Sequence, residues 1–258
     1  MNKPYALITG ASSGIGLEMA RQLAASQHHL ILVARSEATL CDIASELHAQ
    51  HGVNVEVYAM DLSKPGSARG LIHAIGEGGL ERIDLLVNNA GFGIHERFNH
   101  ISLEQTQAMM QLNMNTLCEL TYALVPVMTR MGRGRIINLA SVAAFQPCPN
   151  FAVYAATKAF VLSLSEALNL ELQGTGVTVT AVCPGATNTR FHDVAGSSNA
   201  LAMKLMDSAD KVARLSLKAA SAGKSVVITG LTNKPIPWAS RLLPRSVVGR
   251  TAGFLFRR

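Results

Sequence analysis

Tyr154-Ala-Ala-Thr-Lys158 places a phenol and an ammonium four residues apart. On a helix that spacing raises both side chains from one face, one turn apart. A phenol with an ordinary pKa near ~10 is a poor acid or base at neutral pH. A neighbouring ammonium stabilises the phenolate, so Lys158 is expected to draw Tyr154 down towards the range where it exchanges a proton with a substrate oxygen. Ser141, thirteen residues earlier, can offer a hydroxyl to the same oxygen where the intervening loop folds back. Many helices carry such a pair as a packed tyrosine beside a solvated lysine. The elements upstream must therefore decide what it does.

Tyr5-Ala-Leu-Ile-Thr9 reads as a short buried strand, followed at once by Thr9-Gly-Ala-Ser-Ser-Gly-Ile-Gly16 and an amphipathic helix from Leu17 to Ala25. Strand, glycine turn and helix in that order let helix N-terminal amides receive a diphosphate. Gly10 would allow the tight turn, Gly14 a close approach of backbone to phosphate, and Gly16 close packing of helix on strand. The spacing is G-x-x-x-G-x-G, not the general G-x-G-x-x-G. A second apolar strand, Leu30 to Ala34, ends in Arg35-Ser36. An acidic residue there would bind ribose hydroxyls and select NAD(H). A guanidinium beside a serine instead suits a 2′-phosphate, so NADP(H) is expected ahead of NAD(H).

Further on, Glu37 to His51 reads as a helix, and Val53 to Ala59 as a strand running into Asp61-Leu62, with Asp61 placed to accept from an adenine amino group. A weaker helix is expected over 64–78. A strand over Ile83–Val87 is closed by Asn88-Asn-Ala-Gly91, whose small residues let the chain pass close to a ribose. Ser102 to Arg130 is one long helical pattern that Pro126 should kink or divide. A strand over Arg135–Ala140 delivers Ser141, the helix over Phe151–Gln173 carries Tyr154 and Lys158, and strands follow at Val177–Val182 and Ser225–Thr229. Strands alternating with helices imply one doubly wound α/β domain with about seven parallel strands.

Composition narrows the class. The 258 residues are 48% hydrophobic and 16% charged, enough apolar material for one sizeable core. Four scattered cysteines and eight scattered histidines give neither a disulfide frame nor a metal site. The first ten residues hold too short an apolar run for a signal peptide, and Asn138, Gln146, Pro147 and Pro149 interrupt the longest uncharged stretch, so a cytoplasmic protein is expected. Charge is unevenly placed. Residues 211–258 hold ten Lys/Arg and no Asp/Glu, whereas residues 1–210 hold thirteen against seventeen.

Taken together, Thr9-Gly-x-x-x-Gly-x-Gly16, Asp61-Leu62, Asn88-Asn-Ala-Gly91, Asn113, Ser141, Tyr154-x-x-x-Lys158 and Pro184-Gly185 with Thr189 resemble the short-chain dehydrogenase/reductase family over roughly residues 3–230. The resemblance implies a Rossmann-type fold, a catalytic set of Asn113, Ser141, Tyr154 and Lys158, and hydride transfer between NADP(H) and a carbonyl or secondary alcohol. It places Gly10, Ser12, Ser13, Ile15, Asn89, Ala90, Thr187 and Thr189 along the cofactor, with Tyr154 and Lys158 at the nicotinamide ribose. Asn113 would hold a water joining Lys158 to solvent. It implies a homodimer or homotetramer. The rival reading is a non-catalytic NADP(H)-binding protein acting as a redox sensor or interaction module, and a third changes the chemistry to epimerisation or dehydration.

Two stretches lack a family-wide code. Residues 188–206, with Phe191, His192, Val194, Leu201, Met203, Leu205 and Met206, are expected to close over a hydrophobic substrate. The extension 231–258 interleaves basic and apolar residues and reads as a short helix pair. It could pack on a partner subunit, which is the preferred reading, or touch an anionic membrane surface or an acyl chain. No nucleic-acid recognition module is visible in it.

Overall fold

The computed structural model describes residues 3–189 and 206–255. Seven parallel strands form one sheet in the order β3-β2-β1-β4-β5-β6-β9. These are β1 (Tyr5–Thr9), β2 (His29–Ala34), β3 (Val55–Ala59), β4 (Ile83–Asn88), β5 (Gly134–Leu139), β6 (Val177–Cys183) and β9 (Val226–Ile228); the two-residue strands β7 (Thr187–Asn188) and β8 (Asp207–Ser208) pair apart from it. At the centre Ile8 faces Leu32 on one side and Val87 on the other, the β1–β4 register shifting between Tyr5 and Ala6.

Near-continuous apolar strands are what a sheet covered on both faces requires. Ile8, Leu32, Val87, Ile137 and Val182 pack with Met19, Leu23 and Leu40 on one face. Their neighbours Leu7, Ile31, Leu86, Ile136 and Val179 pack with Leu71, Leu120, Leu124 and Met128 on the other. The first face is covered by α1 (Gly14–Ala25) and α2 (Glu37–His51), the second by α3 (Ser67–Ile75) and α6 (Leu117–Arg130). Strand order runs outward in opposite directions from β1 and β4. A crevice is left at their carboxyl ends, where open α/β sheets bind ligands.

Two expected helices differ from the sequence reading. The helix over 64–78 is split into α3 and α4 (Glu77–Leu80), because Gly76 between them takes φ +71°. The long helix over 102–130 is divided, but not at Pro126. It opens into a wide π turn at Gln111–Thr116, between α5 (Leu103–Met110) and α6, while Pro126 stays inside α6 on an exposed face. There, water can satisfy the carbonyl that the proline leaves without an N–H partner.

A buried polar ladder ties the sheet to α7 (Ala152–Glu171), the helix that carries Tyr154. Asn88 Nδ2 donates to Asn138 Oδ1 (2.9 Å) and Thr121 Oγ1 (3.1 Å), and Asn138 Nδ2 donates to Ser165 Oγ (2.9 Å). Such bonds in a water-free interior fix the register of β4, β5 and α7 against one another.

Candidate active site

The glycine turn is held from below. Asn89 Nδ2 donates to the carbonyls of Thr9 (2.9 Å) and Gly10 (3.1 Å), and the Thr9 hydroxyl accepts from the Asn89 and Ala90 amides, each at 3.0 Å. Asn89 therefore props the loop with its side chain. Gly10 and Gly14 take φ +66° and +57°, the left-handed region that favours glycine. A Cβ on Gly16 would lie 2.4 Å from both the Gly10 oxygen and Asn89 Nδ2. Gly16→Ala is accordingly expected to cost about 1–3 kcal/mol through overpacking, lowering Tm by roughly 2–12 °C. Thermal unfolding of the variant at the wild-type value would contradict this packing.

The N-terminus of α1 suits an anion. Its N-cap, Ser13, makes no side-chain capping bond, and its first turn has no acidic residue. By contrast α2, α5 and the helix Ala209–Ser221 each have a capping serine and an acidic first turn. The amides after Ser12 and Ser13, at Gly14, Ile15 and Gly16, thus keep the positive end of a helix dipole free for a diphosphate. A Cβ on Gly14 would meet Thr189 Cγ2 at 3.0 Å, so the Pro184-Gly185-Ala-Thr187 turn and Thr189 close over this loop. Thr187 is buried, and its hydroxyl bonds the Gly185 carbonyl at 3.0 Å.

At the end of β2, Arg35 is exposed, whereas the Ser36 hydroxyl is engaged with Thr39 (Oγ to Oγ1, 2.8 Å) as it caps α2. Asp61 accepts from the Ser63 hydroxyl at 2.7 Å and its amide at 3.0 Å. The Ser63 hydroxyl, then its amide and the charges of Arg35 and Lys64, hold Asp61 below the usual carboxylate range against its partial burial. Leu62 does not line the crevice with its side chain, which is buried in the core, and its carbonyl accepts from Thr116.

On the far side of the crevice the four expected catalytic residues converge. Ser141 follows β5 and opens a turn of 3₁₀ helix (Val142–Phe145), its hydroxyl accepting from the Ala143 amide at 3.1 Å. Its side chain is also hydrogen-bonded to Tyr154, a contact that opposes, but does not overcome, the upward push of burial on the phenol pKa. Lys158 is buried, with Nζ donating to the Leu139 carbonyl at 2.6 Å and lying 5.8 Å from the Tyr154 ring centroid. Asn113 sits in the π turn, 1% exposed. It exchanges hydrogen bonds with the Phe92 backbone (3.1 and 3.0 Å) and donates to Thr157 Oγ1 at 3.0 Å. Gly91 passes between them, since a Cβ there would lie 3.0 Å from Asn113 Oδ1 and 3.4 Å from Lys158 Nζ.

The direction of the tyrosine pKa differs from the sequence reading. Burial pushes Tyr154 up to about 12 and Lys158 down to about 8. Loss of water is the largest influence on both groups, and the hydrogen bond that captures the ammonium is to the Leu139 carbonyl. The sequence alone assigns no positioning role to Thr9, Thr157 or Asn138, which hold the glycine loop, Asn113 and α7. A threonine at a strand end before the first glycine was the one visible signal. Beside Tyr154 lies an apolar wall of Ala143, Cys148, Phe151 and Ala155, with His95 stacked on Phe151 at 4.7 Å. Of the expected lid, Met206 is half-buried, while Phe191, His192, Val194, Leu201, Met203 and Leu205 lie outside the described residues.

Comparison with known proteins gives the same picture. The family model described as short chain dehydrogenase matches residues 4–199. A sulfoacetaldehyde reductase of Chromohalobacter salexigens is 37% identical over 187 residues, 72% of this chain and 73% of that protein. A short-chain dehydrogenase from Sphingobium yanoikuyae, solved in complex with NADPH, superposes with a TM-score of 0.84 at 35% identity, covering 92% of each chain. A bulky-bulky ketone specific alcohol dehydrogenase from Comamonas testosteroni gives 0.78 at 32% identity, covering 88% of this chain and 86% of that one. With the fold, the glycine turn and the matched span in agreement, this chain belongs to the short-chain dehydrogenase/reductase family.

Proposed function

We propose that this protein is an NADP(H)-dependent oxidoreductase that interconverts a hydrophobic carbonyl compound and its alcohol, with Tyr154 as acid and base. The observation that carries the reading is the hydrogen bond between the Ser141 and Tyr154 side chains at the carboxyl edge of β5, with the Lys158 ammonium buried alongside. The NADPH held by the Sphingobium relative and the ketone specificity of the Comamonas one support it. Gly10, Gly14 and the α1 N-terminus would hold the diphosphate, Arg35 the 2′-phosphate, and Lys158 the nicotinamide ribose. When bound, the nicotinamide supplies or accepts the hydride at the substrate carbon.

The chain's own residues handle the oxygen. Tyr154, kept protonated by burial, donates its proton as the carbonyl π electrons move onto oxygen. Ser141 donates a hydrogen bond to the same oxygen where negative charge develops. Lys158, whose pKa burial brings down to about 8, would place positive charge beside the phenolate as it forms. Asn113 spends its side chain on Phe92 and Thr157, so holding a water that joins Lys158 to solvent would fall to its main chain in the wide turn. The apolar wall of Cys148 and Phe151 favours a substrate with little charge near its carbonyl.

A panel of ketones and aldehydes, followed by NADPH consumption with NADH as control, tests the reading. Turnover with a hydrophobic carbonyl is the expected result. Tight NADPH binding with no turnover across the panel would instead identify a cofactor-binding protein without chemistry. Ser141→Ala should lower kcat by about 10²–10³-fold, the typical loss for one oxyanion donor, at little cost to NADPH affinity measured by fluorescence titration. The family typically oligomerises, and Tyr122, Phe160 and Leu170 on α6 and α7 are exposed apolar side chains that a second copy would cover.

A further inference from the structure

The C-terminal extension forms the expected helix pair, Ile236–Leu242 and Arg245–Leu255. Both are fastened to the body by their inner sides. Asn233 Nδ2, just before the first helix, donates to the Thr229 carbonyl at 2.8 Å and fills the space above Gly185, where a Cβ would meet it. The first helix packs against Val142–Phe145. The second buries Val248 and Ala252 and sets Gly249 and Gly253 on Pro147 and Pro149, with added Cβ atoms at 3.6 and 3.1 Å from the proline rings. Both helices thus rest on the segment between Ser141 and Tyr154.

The outer sides are a different surface. Trp238 is 68% exposed and Leu242 80%, with Arg241 exposed beside them at helical spacing. On the next helix Arg245, Val247 and Arg250 are also exposed. No acidic residue follows Asp210 in the whole chain. Large apolar side chains held in water next to arginines that have no ion pair among the described residues need an occupant that takes both burial and positive charge. A second copy of the same surface does not, because a two-fold interface would set this all-cationic patch against itself. An anionic bilayer does: its acyl boundary accepts tryptophan and leucine, and its headgroups attract arginine. No helix among the described residues is long and apolar enough to cross a membrane, so attachment would be to the surface.

We propose that the outer faces of these two helices dock on an anionic lipid surface. The inference rests on the extension alone and stands apart from the oxidoreductase reading. The test uses the full chain with vesicles of phosphatidylcholine, with and without phosphatidylglycerol, in a sedimentation assay. Binding is expected to the anionic vesicles only, weakening as salt rises. The triple variant R241E/R245E/R250E should bind at least about 100-fold more weakly, and W238A/L242A/V247A should also lose binding. Unchanged circular dichroism and NADPH affinity would establish that both variants are folded. Equal binding to neutral vesicles, binding to neither, or anionic binding that survives in folded variants would overturn the proposal. So would variants that fall from oligomer to monomer without any vesicle binding by the wild type, which would assign the surface to a second copy.

Discussion

Tyr154→Phe should reduce turnover by about 10³-fold or more, at the upper part of the range for loss of a general acid, while NADPH affinity stays within a few-fold of wild type. The change removes one oxygen and leaves the ring among Ala143, Cys148, Phe151 and Ala155, so folding has little reason to suffer. The oxygen it removes is the one hydrogen-bonded to Ser141. A loss of about 10³-fold corresponds to roughly 4 kcal/mol of transition-state stabilisation, more than a neutral hydrogen bond contributes to stability, typically about 1 kcal/mol. A drop confined to that smaller size would therefore mean that Tyr154 only orients the substrate. The pH profile gives a second check. Because burial holds the phenol up near about 12, the proton needed for carbonyl reduction remains in place across the neutral range. Alcohol oxidation needs the phenolate and should speed up as pH rises, whereas reduction should not fall through loss of the tyrosine proton. An inverted pair of profiles in the wild type would reject Tyr154 as the titrating group.

The parts of this site that were legible in the sequence are those set by local rules. Each parallel strand is a short apolar run, and each ends in residues suited to a turn or a ligand: Thr9-Gly10, Arg35-Ser36, Asn88-Asn89 and Ser141. Short runs of that kind identify buried strands, and their carboxyl ends mark where a ligand binds. The pairing order β3-β2-β1-β4-β5-β6-β9 depends on contacts between residues dozens of positions apart and left no local trace. The wide turn at Gln111–Thr116 was hidden for a similar reason. It is tied down by the bonds of Asn113 to Phe92 and of Thr116 to Leu62, which no periodicity within 102–130 encodes. The tyrosine pKa was misjudged because spacing gives proximity along a helix but not the depth of burial or the partner that captures an ammonium, here the Leu139 carbonyl. In the extension, helical spacing revealed a helix pair. The burial of Val248 and Ala252 and the packing of Gly249 and Gly253 on the two prolines show which side of the second helix faces inward.

Arg35 carries the second large effect, because cofactor choice turns on one phosphate. Arg35→Ala is expected to weaken NADPH by about 2–3 kcal/mol, the value of a hydrogen-bonded charged group, or roughly 30- to 150-fold, while NADH binds almost as before. Arg35→Asp should go further, since a carboxylate repels the 2′-phosphate and can accept from the free ribose hydroxyls of NADH. The arginine is expected to dominate over its neighbour. The Ser36 hydroxyl is engaged with the Thr39 hydroxyl and amide at the start of α2, whereas Arg35 is exposed at the end of β2. Glu37, the acidic residue in the first turn of α2, opposes a phosphate there, so the positive charge of Arg35 has no nearby substitute on that helix end. Removing it also takes away one of the charges that keep Asp61 ionised, although the Ser63 hydroxyl remains the larger influence. The measurement is the ratio of kcat/KM for NADPH and NADH in wild type and both variants. A ratio that does not move would show Arg35 to be a solvated side chain at a strand end, and the preference for NADP(H) would then have to come from another residue.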